Sequence, residues 1–323
     1  MADSFGFNDE ILVYNNQFEL YYLENYNPLN LPAYTIRLKY NEGVTPTFSH
    51  GGTGVQVSSS PNIWDLTYEN SNWSSLLQYQ TDLIEVLGAN TSGVTNMGSL
   101  FYNSTSLSNV AVFDTSNVTT TALMFSGCAI TTIPLFNFHN VTNAHSMFYG
   151  CSNLITIPLI DTSSVTNMYA MFYHCVNLES VPLLNTSNVT KMDSMFYICN
   201  KLETVPLFDT SKVTTMKGMF QQCANFKTAP LFNTTNVTDM SNMFDYCKKL
   251  TNVPLYNTSK VTNVNSMFYS CWLVESGALA LYQQMASQTT PPASHTATFL
   301  ECGKNTQTGA AELAQIPSDW KSW

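Results

Sequence analysis

Residues 178–199 read LESVPLLNTSNVTKMDSMFYIC, and the same pattern returns in windows of equal length on either side. Aligned on Phe196, the chain carries Phe125, Phe148, Phe172, Phe220, Phe244 and Phe268 at intervals of 23 and then 24, and Phe101 extends the series backwards. Val-Thr stands seven positions before each of these, from Val94 to Val261, and Cys three positions after each, from Cys128 to Cys271. A period of roughly 20 to 29 residues with strand and helix signals in each unit marks an array whose units bury their apolar faces against their neighbours.

Within one unit, Leu178, Val181 and Leu183 follow the alternation of a short strand. Asn185, Thr186, Ser187 and Asn188 then form a polar turn, because Asx and hydroxyl side chains bond nearby backbone groups. Val189, Met192, Met195, Phe196 and Cys199 recur at helical spacing, which predicts a short helix with Ser187 or Asn188 as its N-cap. The expected fold is therefore α/β: a leucine-rich-repeat solenoid of 24-residue turns, each a short parallel strand, a turn and a short helix. Strands spaced by ~4.8 Å and helices needing ~8–10 Å predict a bend, with strands on the concave side. Pro134, Pro158, Pro182, Pro206, Pro230 and Pro254 fall inside the strand signal and forfeit a ladder donor, so the strand pairing is expected to be brief.

The flanks set the domain boundaries. Residues 1–70 contain strand-like stretches such as TIRLKY (Thr35 to Tyr40) and VQVSSS (Val55 to Ser60) and are expected to form a small β-rich attachment module. The array is expected over 71–275, its first turn degenerate, with Trp73, Leu76 and Leu77 in the positions of Met168, Met171 and Phe172. Residues 276–323 hold GALALYQQMAS and TGAAELAQIPSDW, two helical patterns expected to cap the open end.

Composition excludes several function classes. Only 11% of the 323 residues are charged and the net charge is −10, with one arginine, so no phosphate-tracking basic face is expected and nucleic acid is not a predicted partner. No apolar run reaches the length of a membrane span and no secretory signal is readable, so neither membrane insertion nor export is expected. The cysteine ladder lies on the apolar stripe and lacks paired C-x-x-C spacing, which favours buried free thiols over disulfides or a metal site. The five histidines occupy different repeat positions, and His174 and Cys175, being adjacent, would diverge by ~100° on a helix. No catalytic residue, cofactor or metal is therefore expected.

Two stripes are the candidate binding residues. The first is Phe136, Ile160, Leu184, Phe208, Phe232 and Tyr256, preceded by Phe113, which strict alternation would turn outward as an exposed apolar ladder; folding over the edge of the core is the other outcome. The second is Tyr149, Tyr173, Tyr197 and Tyr269, preceded by Tyr102, one step past each Phe, either presenting contact area at a convex surface or filling gaps between neighbouring units.

The unit C-x-x-L-x-x-[VI]-P-L-x-[ND]-T-S-x-V-T-x-M-x-x-M-F resembles the BspA-like leucine-rich-repeat family of surface proteins, in its variant with DTSNVTNM-type turns, over residues 83–275. That resemblance implies protein or glycan recognition and no catalysis. The segments TPTF through VQVSSSPNIWDLTYENSNW and CGKNTQTGAAELAQIPSDW resemble the ends of repeat proteins among predicted virion proteins of tailed phages of gut bacteria. Together they imply an adhesion protein on a phage virion surface or fibre, binding host-surface protein or glycan through the array and other virion proteins through residues 1–70. A homo-oligomer is admitted. The alternative is a structural virion subunit or intracellular scaffold without host binding, and the alternative locations are the bacterial cell surface and the cytoplasm.

Overall fold

The computed structural model describes residues 4–7, 10–13, 29–48 and 52–322. Parts of the expected N-terminal module (1–3, 8–9, 14–28 and 49–51, with His50) and Trp323 of the expected cap lie outside the described residues. Strands β1 (Ser4–Phe7) and β2 (Glu10–Val13) pair antiparallel. The larger sheet is built from β3 (Thr35–Tyr40), β4 (Thr53–Ser59), β5 (Asn62–Thr67), β6 (Leu83–Asn90) and β7 (Asn109–Val110), in the order β4-β5-β3-β6-β7. It is mixed: β6 runs antiparallel to β3 and parallel to β7. A bidentate Arg37–Asp65 pair at 2.7 and 2.8 Å ties β3 to β5, and Ile36, Leu38 and Leu66 are buried beneath it.

The strand–turn–helix solenoid expected for 71–275 is corrected by this structure. Among the described residues, regular α-helix is confined to α1 (Ala278–Ala286) and α2 (Gln307–Gln315), so no repeat unit contains one. The stretch expected to be helical is a ribbon of overlapping β-turns. Met195 N–H donates to Met192 O at 3.2 Å, Tyr197 to Ser194 at 3.1 Å and Cys199 to Phe196 at 3.1 Å. The alternate donors leave the unit altogether: Ser194, Phe196 and Ile198 N–H each donate at 2.9 Å to Lys217, Met219 and Gln221 O, in the next window. Ser194 and Ile198 are left-handed, with φ of 53° and 59°, each at the third position of its turn, where a β-turn of this kind requires positive φ.

The reason is spacing. Phe148, Phe172, Phe196 and Phe220 stack in succession with centroids 5.5 Å apart, and helices cannot approach closer than ~8 Å. Turns that send every second N–H along the stack satisfy the backbone at that separation, as buried peptide groups require. Because the extended segment has the same kind of spacing, the thickness mismatch behind the expected bend is absent. There, Glu179 N–H reaches Ile155 O at 2.9 Å, and Lys227 N–H reaches Glu203 O at 2.8 Å. At the start of the turn ribbon, single parallel bridges run from Asn72↔Asn96 through Asn167↔Lys191 to Asp239↔Asn263.

The polar turn needs no helix to cap. Asn185 Oδ1 accepts from Ser187 N–H at 3.1 Å, and Asp209 Oδ1 from Ser211 N–H at 2.9 Å. Thr162, Thr186, Thr210 and Thr234 are buried and donate their hydroxyls to the carbonyls of Asn185, Asp209, Asn233 and Asn257 in the next window, at 2.7–2.8 Å. These bonds, repeated between windows, fix the register of one window on the next.

The helical cap expected over 276–323 is also corrected. Residues 294–302 form one more window of the same kind, with Ser266 and Phe268 N–H on Thr296 and Thr298 O at 2.9 Å and Phe299 stacked on Phe268 at 5.9 Å. Helices α1 and α2 precede and follow this window instead of replacing it, and the last described element is the 3₁₀ turn Ser318–Trp320. The apolar stripes of the turn ribbon and of the extended segment enclose one continuous core from Ile36 to Trp320.

Candidate functional site

The extended segment turns at Pro134, Pro158, Pro182, Pro230 and Pro254, and this decides which residues reach the surface. Leu184 N–H donates to Pro182 O at 2.9 Å, closing a three-residue turn centred on Leu183; Ile160, Phe232 and Tyr256 do the same on Pro158, Pro230 and Pro254. Proline has no N–H for a ladder, its carbonyl is taken by the turn, and strand alternation breaks. Phe136, Ile160, Leu184, Phe208, Phe232 and Tyr256 therefore face the core, none of them more than 2% exposed. The exposed apolar ladder expected at those six residues is corrected: they are core, and Tyr256 places its hydroxyl on Pro230 O at 3.0 Å.

The leucine one position earlier is turned out instead. Leu159, Leu183, Leu207, Leu231 and Leu255 are each 57–62% exposed and recur once per window, forming a ridge of equivalent side chains. Spacing alone misses them because it assigns Leu183 to the inward set; the Pro-Leu dipeptide in each unit is the signal that identifies them. Beside the ridge, Glu203 and Lys227 pair at 2.7 Å and Glu179 and Lys201 at 3.5 Å. Glu179, Ser180, Lys201, Glu203 and Thr204 line a shallow depression there.

On the turn ribbon the tyrosines form a stacked stripe. Tyr149, Tyr173 and Tyr197 stack with successive centroids 4.5 Å apart and planes 5° and 8° from parallel. Tyr149 is 40% exposed, Tyr173 and Tyr197 are half-buried, and Tyr169 beside them is exposed. Partial burial, and then the neighbouring phenols, hold the Tyr149 and Tyr173 hydroxyls in their protonated form by raising their pKa. Tyr269 is set apart from this stack: Gln221 and Asp245 occupy the intervening positions, and Tyr269 meets Tyr246 edge-on at 5.1 Å.

The cysteines are buried and free. Each thiol in the ladder donates to a phenylalanine carbonyl of a preceding window, as from Cys175 to Phe148 O at 3.0 Å and Cys199 to Phe172 O at 3.1 Å. Burial pushes Cys151 and Cys223 up to about 12 and moves the rest of the ladder the same way, so these groups are packing elements without nucleophilic character. His174 is exposed next to buried Cys175. Among the described residues, no three His, Cys, Asp or Glu side chains gather as metal ligands, and no helix is long and apolar enough to cross a membrane.

No curated protein and no solved structure matches the chain. One family model, described as "Mycoplasma protein of unknown function, DUF285", matches twice in tandem, over residues 71–183 and 173–278. Those two matches cover the windows built on Phe101 to Phe268, more than half of the chain. The chain therefore belongs to the family of Mycoplasma proteins of unknown function, DUF285.

Proposed function

We propose that this chain is a non-enzymatic recognition protein that adheres to a host-surface protein or glycan through the tyrosine stripe Tyr149, Tyr173 and Tyr197, with Tyr169 at its side. The observation that carries the reading is the parallel stacking at 4.5 Å, which fixes large amphipathic side chains before any ligand arrives. Tyrosines that are already immobile lose little conformational entropy on binding, which is how aromatic paratopes gain affinity. Their hydroxyls form a row of donors and acceptors, suited to the polar surface of a protein loop or a sugar chain. Display on a phage virion is supported by the resemblance of residues 45–73 and 302–320 to the ends of predicted virion proteins. Attachment to other virion proteins is assigned to the N-terminal residues on the same ground.

The test is binding of the full chain to host cells and to a glycan array, beside the triple variant Tyr149→Ser, Tyr173→Ser, Tyr197→Ser. The expected result is adhesion by the parent chain and a loss of at least about tenfold in the variant, with an unchanged melting curve. A parent chain that ignores both targets while associating tightly with virion components would overturn it. That outcome would establish the alternative, a structural subunit or scaffold, which the exposed leucine ridge favours.

A further inference from the structure

The leucine ridge lies on the extended segment and takes no part in the tyrosine stripe, so a partner seated on it is independent of the adhesion reading. Five leucines at equal exposure and equal spacing make a periodic surface, and an apolar row of this kind on a folded chain marks an interaction site. A partner that engages several of them at once must repeat at the same interval. A second copy of this chain does so by construction, and a closed pair requires the same patch on both sides.

The flanking charges select one arrangement. In a face-to-face pair with antiparallel stacks, a two-fold axis through the Leu207 window would set Glu203 against Glu203 and Asp209 against Asp209. Placing the axis between the Leu207 and Leu231 windows removes both conflicts. It sets Leu207 against Leu231 and Leu183 against Leu255, Asp209 against Asn233, and Lys201 against Asn225. Glu203 then lies opposite Lys227 of the second copy. Since Glu203 and Lys227 already pair at 2.7 Å within one chain, the four groups close an alternating square of charge. We propose that the leucine ridge seats a second copy of this chain, antiparallel and face to face, about a two-fold axis between the Leu207 and Leu231 windows.

The four paired windows at ~4.8 Å and six residues of extended chain at ~3.3 Å give about 400 Å² per copy, or ~800 Å² in total, with Leu159 left outside the paired set. That is below the usual area of a stable interface, so the pair should be reversible and weak, in the upper micromolar range. The experiment is sedimentation equilibrium of the full chain from about 1 to 200 μM, with Leu207→Glu, Glu203→Lys, Lys227→Glu and the double reversal Glu203→Lys/Lys227→Glu. Thermal melting monitors folding of each variant, and all three substituted positions are at the surface. The expected result is a monomer–dimer equilibrium, weakened at least tenfold by Leu207→Glu and severalfold by either single reversal, and recovered in the double reversal. A monomer at every concentration, or a dimer indifferent to Leu207→Glu, would overturn the proposal. A dimer insensitive to the single reversals would overturn the antiparallel arrangement and with it the proposal. Failure here leaves the adhesion test unaffected, because the variants keep Tyr149, Tyr173 and Tyr197.

Discussion

Phe172 and Phe196, one window apart in sequence, lie with their rings 5.5 Å apart and 2° from parallel. This spacing rules out helical packing between neighbouring windows and selects the turn ribbon in its place. It also places Cys175 and Cys199 in equivalent buried positions, each bonded to the carbonyl of a phenylalanine in the preceding window.

The break in strand alternation at the Pro-Leu dipeptides predicts a sharp contrast between adjacent residues. Leu207 is 61% exposed and Phe208 is buried. Leu207→Ser should change stability by no more than about 0.5 kcal/mol. Phe208→Ala should cost about 3–5 kcal/mol, since the ring packs 6.4 Å from Phe196 and leaves a cavity when removed. Urea denaturation of the two variants checks this; equal losses would mean that alternation does not break at Pro206.

The thiols should be inert in the native chain. All eight cysteines are buried and free, and burial holds their pKa above the ordinary thiol range. A thiol-reactive chromogenic disulfide at pH 8 should therefore label almost none within minutes and all eight once the chain is unfolded. Rapid labelling of even one ladder cysteine in the folded chain would show that its window is open.

Much of this is legible in the sequence. The repeat interval, the buried positions Val189, Met192, Met195, Phe196 and Cys199, and the strand at Thr35–Tyr40 can each be read from residue pattern alone. What is not legible is the conformation behind the buried stripe. A β-turn reverses the chain after about three residues and a helix turns once in about 3.6, so both bury positions at i and i+3, and period alone does not separate them. The separating information is between windows: the rings stack too closely for helices, which only the fold reveals. At the candidate site the same holds in reverse. Pro182 in front of Leu183 is visible in the sequence but reads there as a flaw in a strand, when it sets which residue faces out.

Left-handed backbone at a residue with a side chain is strained, and one position tests how much. His174 is exposed with φ of 60°, in the place held by Gly127 and Gly150 in earlier windows. His174→Gly should raise stability by about 0.5–1 kcal/mol, despite the added freedom of glycine in the unfolded chain. Thermal melting reads the sign directly, and a fall in Tm would place His174 outside the left-handed region.

Asp245 supplies a pH dependence. Its carboxyl is buried and pushed up to about 6 by desolvation, with Oδ2 receiving Gln221 Nε2 at 2.8 Å and Oδ1 lacking a partner among the described residues. A folded-state pKa above the unfolded value means that stability is full below the ordinary value of 3.8 and is lost as pH rises from there through about 6. Asp245→Asn should therefore stabilise the chain at pH 7.5, by on the order of 1 kcal/mol once solvent screening is allowed for, and have a clearly smaller effect at pH 4.5. Melting curves across that range check it; equal effects at both ends would show that Asp245 does not titrate as a buried group.

The most direct measurement is backbone NMR of the labelled chain over residues 192–199, combining chemical shifts with amide hydrogen exchange. Left-handed shifts at Ser194 and Ile198, with slow exchange at Ser194, Phe196 and Ile198, are the predicted result, since those three N–H groups reach Lys217, Met219 and Gln221 in the next window. Uninterrupted helical shifts from Met192 to Cys199 would contradict it.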